Sequence, residues 1–265
     1  MEILAGLLAL LAGLTGGAGF AVDRVARNEL LAHLDEADVL EVRVQSAPNL
    51  KLVAGRVDRV LLAGRGLEIE PYPRIELLEL ETDPVNVGFD DGALVLESPL
   101  RAALRFSITE DDLNASLQSP GVLEQFQNIE ANLPVLGDRD GTEVFDLENP
   151  MVELLGGDRL RLQARLVLQD ESENPEEEQA LDIDLVTSIV LEDGQRLLLV
   201  APEMSLNDQP LPPEIADAFA GGISRALDVS GLEDRDIFVR LLDLEISDDA
   251  LSAVGILRLE SLDFG

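Results

Sequence analysis

The 265-residue chain reads as an α+β protein built mostly from antiparallel strands. Three observations predict that class. Apolar and polar residues alternate at period two along most of the sequence, between turns rich in Gly, Pro and Asp. Helical spacing is confined to a few short stretches. Hydrophobic residues make up 46% of the chain, enough for a core in spite of 53 acids against 19 bases. The net charge of −34 therefore belongs to the surface of a folded protein. It argues against a nucleic-acid partner, because phosphate recognition needs a basic face.

Residues 3–22 carry no charge and consist mainly of Leu, Ala and Gly. As a helix such a run is about 30 Å long, the thickness of a bilayer's hydrocarbon core. Its apolar centre, 3–14, matches the hydrophobic region of a secretory signal, with the small Gly16 and Ala18 at a cleavage site. Glu2 stands where a signal carries a cation, and Arg24 and Arg27 follow the run instead. Residues 1–19 are expected to be a signal or membrane anchor, the alternative being a buried core helix. Residues 20–265 are expected to form one domain of two similar β-rich halves, about 20–136 and 142–265, because the loop 137–141 is too short for a linker.

Val22, Ala26, Leu30 and Leu34 recur every four residues and predict a helix over 21–36. His33, the one histidine, lies on it and reads as a surface or core-edge residue. Strands are predicted at 39–44, 56–63, 67–70, 74–81, 93–97 and 100–108. In the last, Leu100, Ala102, Leu104, Phe106 and Ile108 form an apolar face opposite Arg101 and Arg105. Thr109 then caps a helix over 110–118 with Asp112 at its third position, and a second helix is predicted over 121–131.

The second half repeats the pattern. Leu160, Leu162, Ala164, Leu166 and Leu168 oppose Arg159, Arg161, Gln163 and Arg165 on one strand. On the next, Leu181, Ile183, Leu185, Ile189 and Leu191 oppose Asp182 and Asp184. The two are predicted to pair antiparallel across the loop 170–178, whose six acids in nine residues no core would accept. The Arg and Asp faces then meet as cross-strand ion pairs; the competing reading of the Arg row is a site for a phosphate or sulfate head group. Asp193-Gly194 marks a tight hairpin into a strand at 195–200. Pro212 and Pro213 open a helix over 214–227, and strands at 237–246 and 251–264 close the chain.

Catalytic signatures are missing from the sequence. It holds no Cys, no Trp, no G-x-S-x-G elbow, no phosphate-binding glycine loop and no H-E-x-x-H, and His33 alone would have to serve a serine triad. The segment Asp138-Arg139-Asp140-Gly141-Thr142-Glu143 resembles a calcium loop but has Leu147 where the closing Glu is needed. No catalytic residue, metal site or cofactor is expected. Paired acids for glycoside hydrolysis would lack aromatic faces for the sugar, since the chain has eight Phe and one Tyr. Aliphatic excess remains, with some strands apolar on both faces, as in Val60-Leu61-Leu62-Ala63 and Leu197-Leu198-Leu199-Val200-Ala201. Alternation alone leaves open a filled core or an apolar cavity for acyl chains.

The stretch from Val42 through Lys51 to Val60, followed by Ala63-Gly64-Arg65-Gly66-Leu67, resembles the opening of the bacterial LmeA-like phospholipid-binding family. Further matches are Ile75-Glu76-Leu77-Leu78-Glu79-Leu80-Glu81-Thr82-Asp83-Pro84, the turn and helix Ile108-Thr109-Glu110-Asp111-Asp112-Leu113-Asn114, and Gly156-Gly157-Asp158-Arg159-Leu160. The resemblance spans roughly residues 20–262. It implies a tubular fold akin to the bactericidal/permeability-increasing type, in which a strongly curved sheet wraps around helices and encloses acyl chains. The family offers no motif of ligand residues, so the lipid-facing positions follow from strand alternation. They are Leu61, Leu80, Leu104, Phe106, Ile108, Leu162, Leu166, Leu168, Leu185, Ile189, Leu198 and Val200.

The expected function is non-enzymatic phospholipid binding at a membrane or in the cell envelope, in lipid transfer or membrane maintenance. The N-terminal segment would supply membrane proximity, because a body of charge −34 is repelled by anionic bilayers. The alternative is a membrane-anchored scaffolding domain with a filled core and an acidic surface.

Overall fold

The structure, a computed structural model, describes residues 22–32, 34–47, 51, 55–69, 72–90, 93–124, 127, 129–131, 143–168 and 180–260. The N-terminal apolar run, His33, the Asp138–Thr142 segment and the acidic loop 170–178 lie outside them. Among the described residues no helix is long and apolar enough to cross a membrane.

In chain order, helix α1 (Val22–Leu31) precedes strands β1 (Glu36–Gln45), β2 (Arg56–Val57), β3 (Arg59–Glu68), β4 (Ile75–Thr82), β5 (Val85–Asp90), β6 (Ala93–Leu96) and β7 (Leu100–Thr109). Helix α2 (Glu110–Leu117) and a single helical turn (Pro120–Leu123) lead to β8 (Ile129–Ala131), β9 (Glu143–Gly156), β10 (Arg159–Leu168), β11 (Ala180–Glu192), β12 (Arg196–Leu206) and β13 (Gln209–Pro210). Helix α3 (Pro213–Ala226) and a 3-10 turn (Ser230–Arg235) precede the closing hairpin, β14 (Ile237–Ile246) and β15 (Ala250–Leu259).

The strands form two open six-stranded sheets, ordered β1-β3-β4-β7-β15-β14 and β13-β12-β11-β10-β9-β8, with a small sheet β2-β5-β6 beside the first. Every pairing among these strands is antiparallel. The mostly antiparallel α+β class is therefore observed. The closing hairpin, which follows the second sheet in sequence, crosses back to extend the first through β15 and β7.

Each sheet buries one face. Leu40, Val42, Val60, Leu62, Leu78, Leu80, Leu100 and Leu259 gather on the first, covered by Leu30 of α1 and by Val57, Val85 and Val87 of the small sheet. Val152, Leu160, Leu185, Ile189, Leu199 and Met204 gather on the second, under α3. The small Ala216, Ala220 and Ser224, one turn apart, let α3 approach β12 closely enough for the Leu199 N–H to donate to Ser224 Oγ at 2.9 Å.

Helices hold the sheets through strand edges. Thr109 caps α2 as the sequence predicts, its Oγ1 accepting the Asp112 N–H at 3.1 Å. One turn apart on α2, Glu110 and Asn114 bond the edge of β9. The Asn114 amide takes both polar groups of Val152, at 2.8 and 2.9 Å, and Glu110 Oε2 accepts the Leu154 N–H at 2.7 Å. Helix α1 treats the edge of β1 in the same way, Asp23 accepting from Val44 N–H and Arg27 donating to Leu40 O, both at 2.8 Å. At a further joint, the Leu241 N–H of β14 donates to Gly194 O at the β11–β12 hairpin tip, 2.7 Å away.

Several elements differ from the sequence reading. β3 is continuous through Gly64 and Gly66, which read as turn residues. Gly66 has φ +56, and a Cβ there would strike Arg74 and Asp38, so the strand coils on itself without ending. Gly55, at φ +69, leaves room for the Val87 carbonyl. The predicted helix over 121–131 is one turn followed by β8. The 14-residue β9 escapes alternation because Asn149, at φ 50, and Pro150 shift the register against β10, reversing the phase between Leu147 and Val152. β12 runs past its expected end through a similar break at Ala201, φ 50. β10 and β11 pair as predicted, with Arg161–Asp184 at 3.5 Å and Arg165–Asp182 at 3.9 Å.

Replacing Asn114 by Ala strips both partners from Val152 and should cost about 1–3 kcal/mol in denaturant unfolding, whereas Asp111→Ala on the exposed side of the same helix should cost under about 0.5 kcal/mol.

Candidate acyl-chain site

Inward-facing apolar residues come in two grades. Deep positions are sealed; Leu185, on β11, is 0% exposed. Along β7, burial falls off toward α2: Leu100 and Ala102 are buried, while Leu104, Phe106 and Ile108 are only half-buried. Leu104 and Phe106 pack against the first core. Ile108 lies opposite Leu251 of β15, which packs against the second core together with Leu113 and Leu117 of α2, Leu147 of β9 and Leu244 of β14. A partly uncovered apolar seam thus lies where the two cores meet. It follows from chain continuity, since β7 runs directly into α2 and α2 is bonded to β9.

The structure gathers most of the twelve sequence-derived positions on the inner faces. Leu80, Leu104 and Phe106 belong to the first cluster. Leu162, Leu166, Leu168, Leu185 and Ile189 belong to the second. Ile108, in phase with Phe106, sits between them. Three positions lie on the opposite faces of their strands. Leu61 stands between Arg43 and Glu81, outward of the buried Val60 and Leu62. Leu198 and Val200 pair with the outward Val190 and Ser188, while Leu199 between them is buried. In these fully apolar stretches alternation carries no phase, so the residues alone could not tell inside from outside. Leu113, Leu117 and Leu251 were not singled out from the sequence, although Leu113 and Leu117 are spaced four apart on a predicted helix.

The seam ends near a charged knot. Arg74, just before β4, meets Asp38 at 2.5 Å, Glu76 at 3.0 Å, Asp112 at 3.6 Å and Glu68 at 3.8 Å. Partial burial opposes its charge, but hydrogen bonds to Glu76 and Asp38 and the nearby charges of Asp112 and Asp38 outweigh that and hold the guanidinium protonated even more firmly than usual. Arg74 therefore ties the β1–β3–β4 corner to the first turn of α2. A similar tie closes the β1–β2 loop: the Lys51 ammonium and the Ala47 N–H hold the Asp58 carboxyl below its ordinary range. Among the described residues, no group of three or more His, Cys, Asp or Glu is arranged to hold a metal ion.

The fold is thus two antiparallel sheets with apolar inner faces that are incompletely covered along β7. The chain belongs to the LmeA-like phospholipid-binding family, whose model matches residues 13–256. Searches of curated proteins and of solved structures gave no match. Thr109, Glu110, Asp112 and Asn114, which carry part of the resemblance, are here the cap and the clamps of α2, and Gly66 is the coil of β3.

Leu185→Ala should destabilise the fold by about 2–5 kcal/mol, whereas Leu198→Ala on the outer face should cost under about 1 kcal/mol; thermal or denaturant unfolding of the two variants side by side checks the assignment of faces.

Proposed function

We propose that the protein is a non-enzymatic phospholipid-binding protein that holds acyl chains along the seam of Leu104, Phe106, Ile108, Leu113 and Leu251. The observation that carries this reading is the half-burial of successive inward apolar side chains of β7 where it runs into α2 and the two cores meet, in a member of a phospholipid-binding family. Each CH₂ moved from water onto such a surface contributes about 0.8 kcal/mol, so long chains are retained without specific polar contacts. The head group stays at the solvent edge. In this reading the two sheets curl about the helices as a tube, open along the seam.

The setting proposed is a membrane or the cell envelope, with the apolar segment at residues 3–22 keeping the body near the bilayer and the bound lipid serving transfer or membrane maintenance. The whole chain carries 53 acids against 19 bases, and this charge keeps the body from adhering to anionic lipid at random.

The test is solvent extraction and mass spectrometry of the purified full chain, with native mass spectrometry of the intact protein. Wild type should carry phospholipid in stoichiometric amount, and Phe106→Glu, which places a charge in the seam, should retain its circular dichroism while losing most of that lipid. Folded wild-type protein that is free of lipid and takes up none when phospholipid is added would replace this reading with the filled-core scaffold.

A further inference from the structure

The outward side of the first sheet's far end departs from the rest of this acidic surface. On β7 the outward residues are Arg101, Ala103, Arg105 and Ser107, and cross-strand register sets them against Arg258, Ile256, Val254 and Ser252 of β15. β14 adds Phe238 and Arg240 beside Arg258 and Ile256. Leu242 bulges from β14 between Leu241 and Asp243 and is 63% exposed; Ile256 and Val254 are 46% and 37% exposed. Exposed large apolar groups on adjacent strands mark a contact surface.

Charge says what kind. Across β7, β15 and β14 the outward side holds four arginines, with Asp243 and Glu245 as its acids, on a chain whose net charge is −34. Arg240 is engaged with Glu233 and Arg258 with Glu260 and the Phe238 ring. Among the described residues Arg101 and Arg105 have no carboxylate within ion-pairing distance, although Glu79 of β4 is the cross-strand neighbour of Arg105.

We propose that this face of β7, β15 and β14 docks onto the surface of a phospholipid bilayer. Leu242, Val254 and Ile256 enter the interfacial layer, while Arg101 and Arg105 take lipid phosphates, whose oxygens suit the planar guanidinium fork. The remainder of the body repels an anionic bilayer, so attraction acts only at contact range, within a Debye length of about 8 Å at physiological salt. The proposal goes beyond lipid binding in the seam and stands or falls separately from it.

The full chain has no Cys, so one introduced thiol labels a single position. An environment-sensitive fluorophore on Ile256→Cys is compared with one on Val190→Cys, an exposed position on β11, in vesicles of phosphatidylcholine with phosphatidylglycerol at 0.15 M salt. Vesicles should cut aqueous quenching at 256 by roughly five-fold or more and leave 190 within about two-fold. Arg101→Glu/Arg105→Glu should abolish the protection, while the charge-matched Arg159→Glu/Arg225→Glu, on exposed residues elsewhere, should retain it. Phospholipid extracted from the Arg101→Glu/Arg105→Glu protein should be undiminished, which separates this face from the seam. Vesicle-bound protein with position 256 as open to quencher as position 190, or equal loss in both double variants, would overturn the proposal. Protection at 256 without vesicles, accompanied by a doubled mass, would overturn it in favour of a second copy.

Discussion

A strand at the edge of a sheet exposes a row of unpaired N–H and C=O groups, and this protein covers two such rows with side chains projecting from helices. On α2, Glu110 and Asn114 occupy the edge of β9; on α1, Asp23 and Arg27 occupy the edge of β1. Both pairs are spaced by one helical turn, which sets their side chains in line along the strand. The two halves thus share a device: a helix, then a meander whose first long strand the helix protects. The α2 clamp has the larger consequence, because α2 continues from β7. Fixing α2 on β9 fixes how the first sheet meets the second, and with it the position of the seam.

Many other inward positions are closed in the ordinary way. Leu185, Val60 and Leu259 are sealed, and α3 lies close on β12 through small side chains. Along β7 toward α2 such sealing is incomplete, although Ile246 of β14 and Ala253 of β15 nearby are buried. Leu104, Phe106 and Ile108 remain half-covered. An acyl chain laid over them would remove apolar surface from water at about 25 cal/mol per Å² without requiring a single polar contact. Ligand binding of this kind leaves no motif in sequence. The motifs that do recur in the family resemblance are those of turns, caps and clamps.

Much of the fold was legible. Alternation located β7, β10 and β11, with the cross-strand Arg and Asp pairing; Asp193-Gly194 located its hairpin; and Thr109 located the start of α2. Alternation failed wherever the backbone changed phase, at Asn149 and Pro150 in β9 and at Ala201 in β12, and wherever a strand was apolar on both faces, which put Leu61, Leu198 and Val200 on the wrong side. The seam itself could not be read from residues, since it is defined by what fails to cover Phe106 and Ile108, and that depends on where α2 and the closing hairpin lie. The hairpin's return to the first sheet is a long-range pairing that local pattern does not encode.

The most direct measurement of the central claim is photolabelling of the full chain with a phospholipid that carries a diazirine on one acyl chain, followed by peptide mapping. Insertion confined to β7 around Leu104–Ile108, to α2 around Leu113 and to β15 at Leu251 is the predicted result. Labelling concentrated at the outward Leu61, Leu198 or Val200, or spread evenly over the surface, would contradict it.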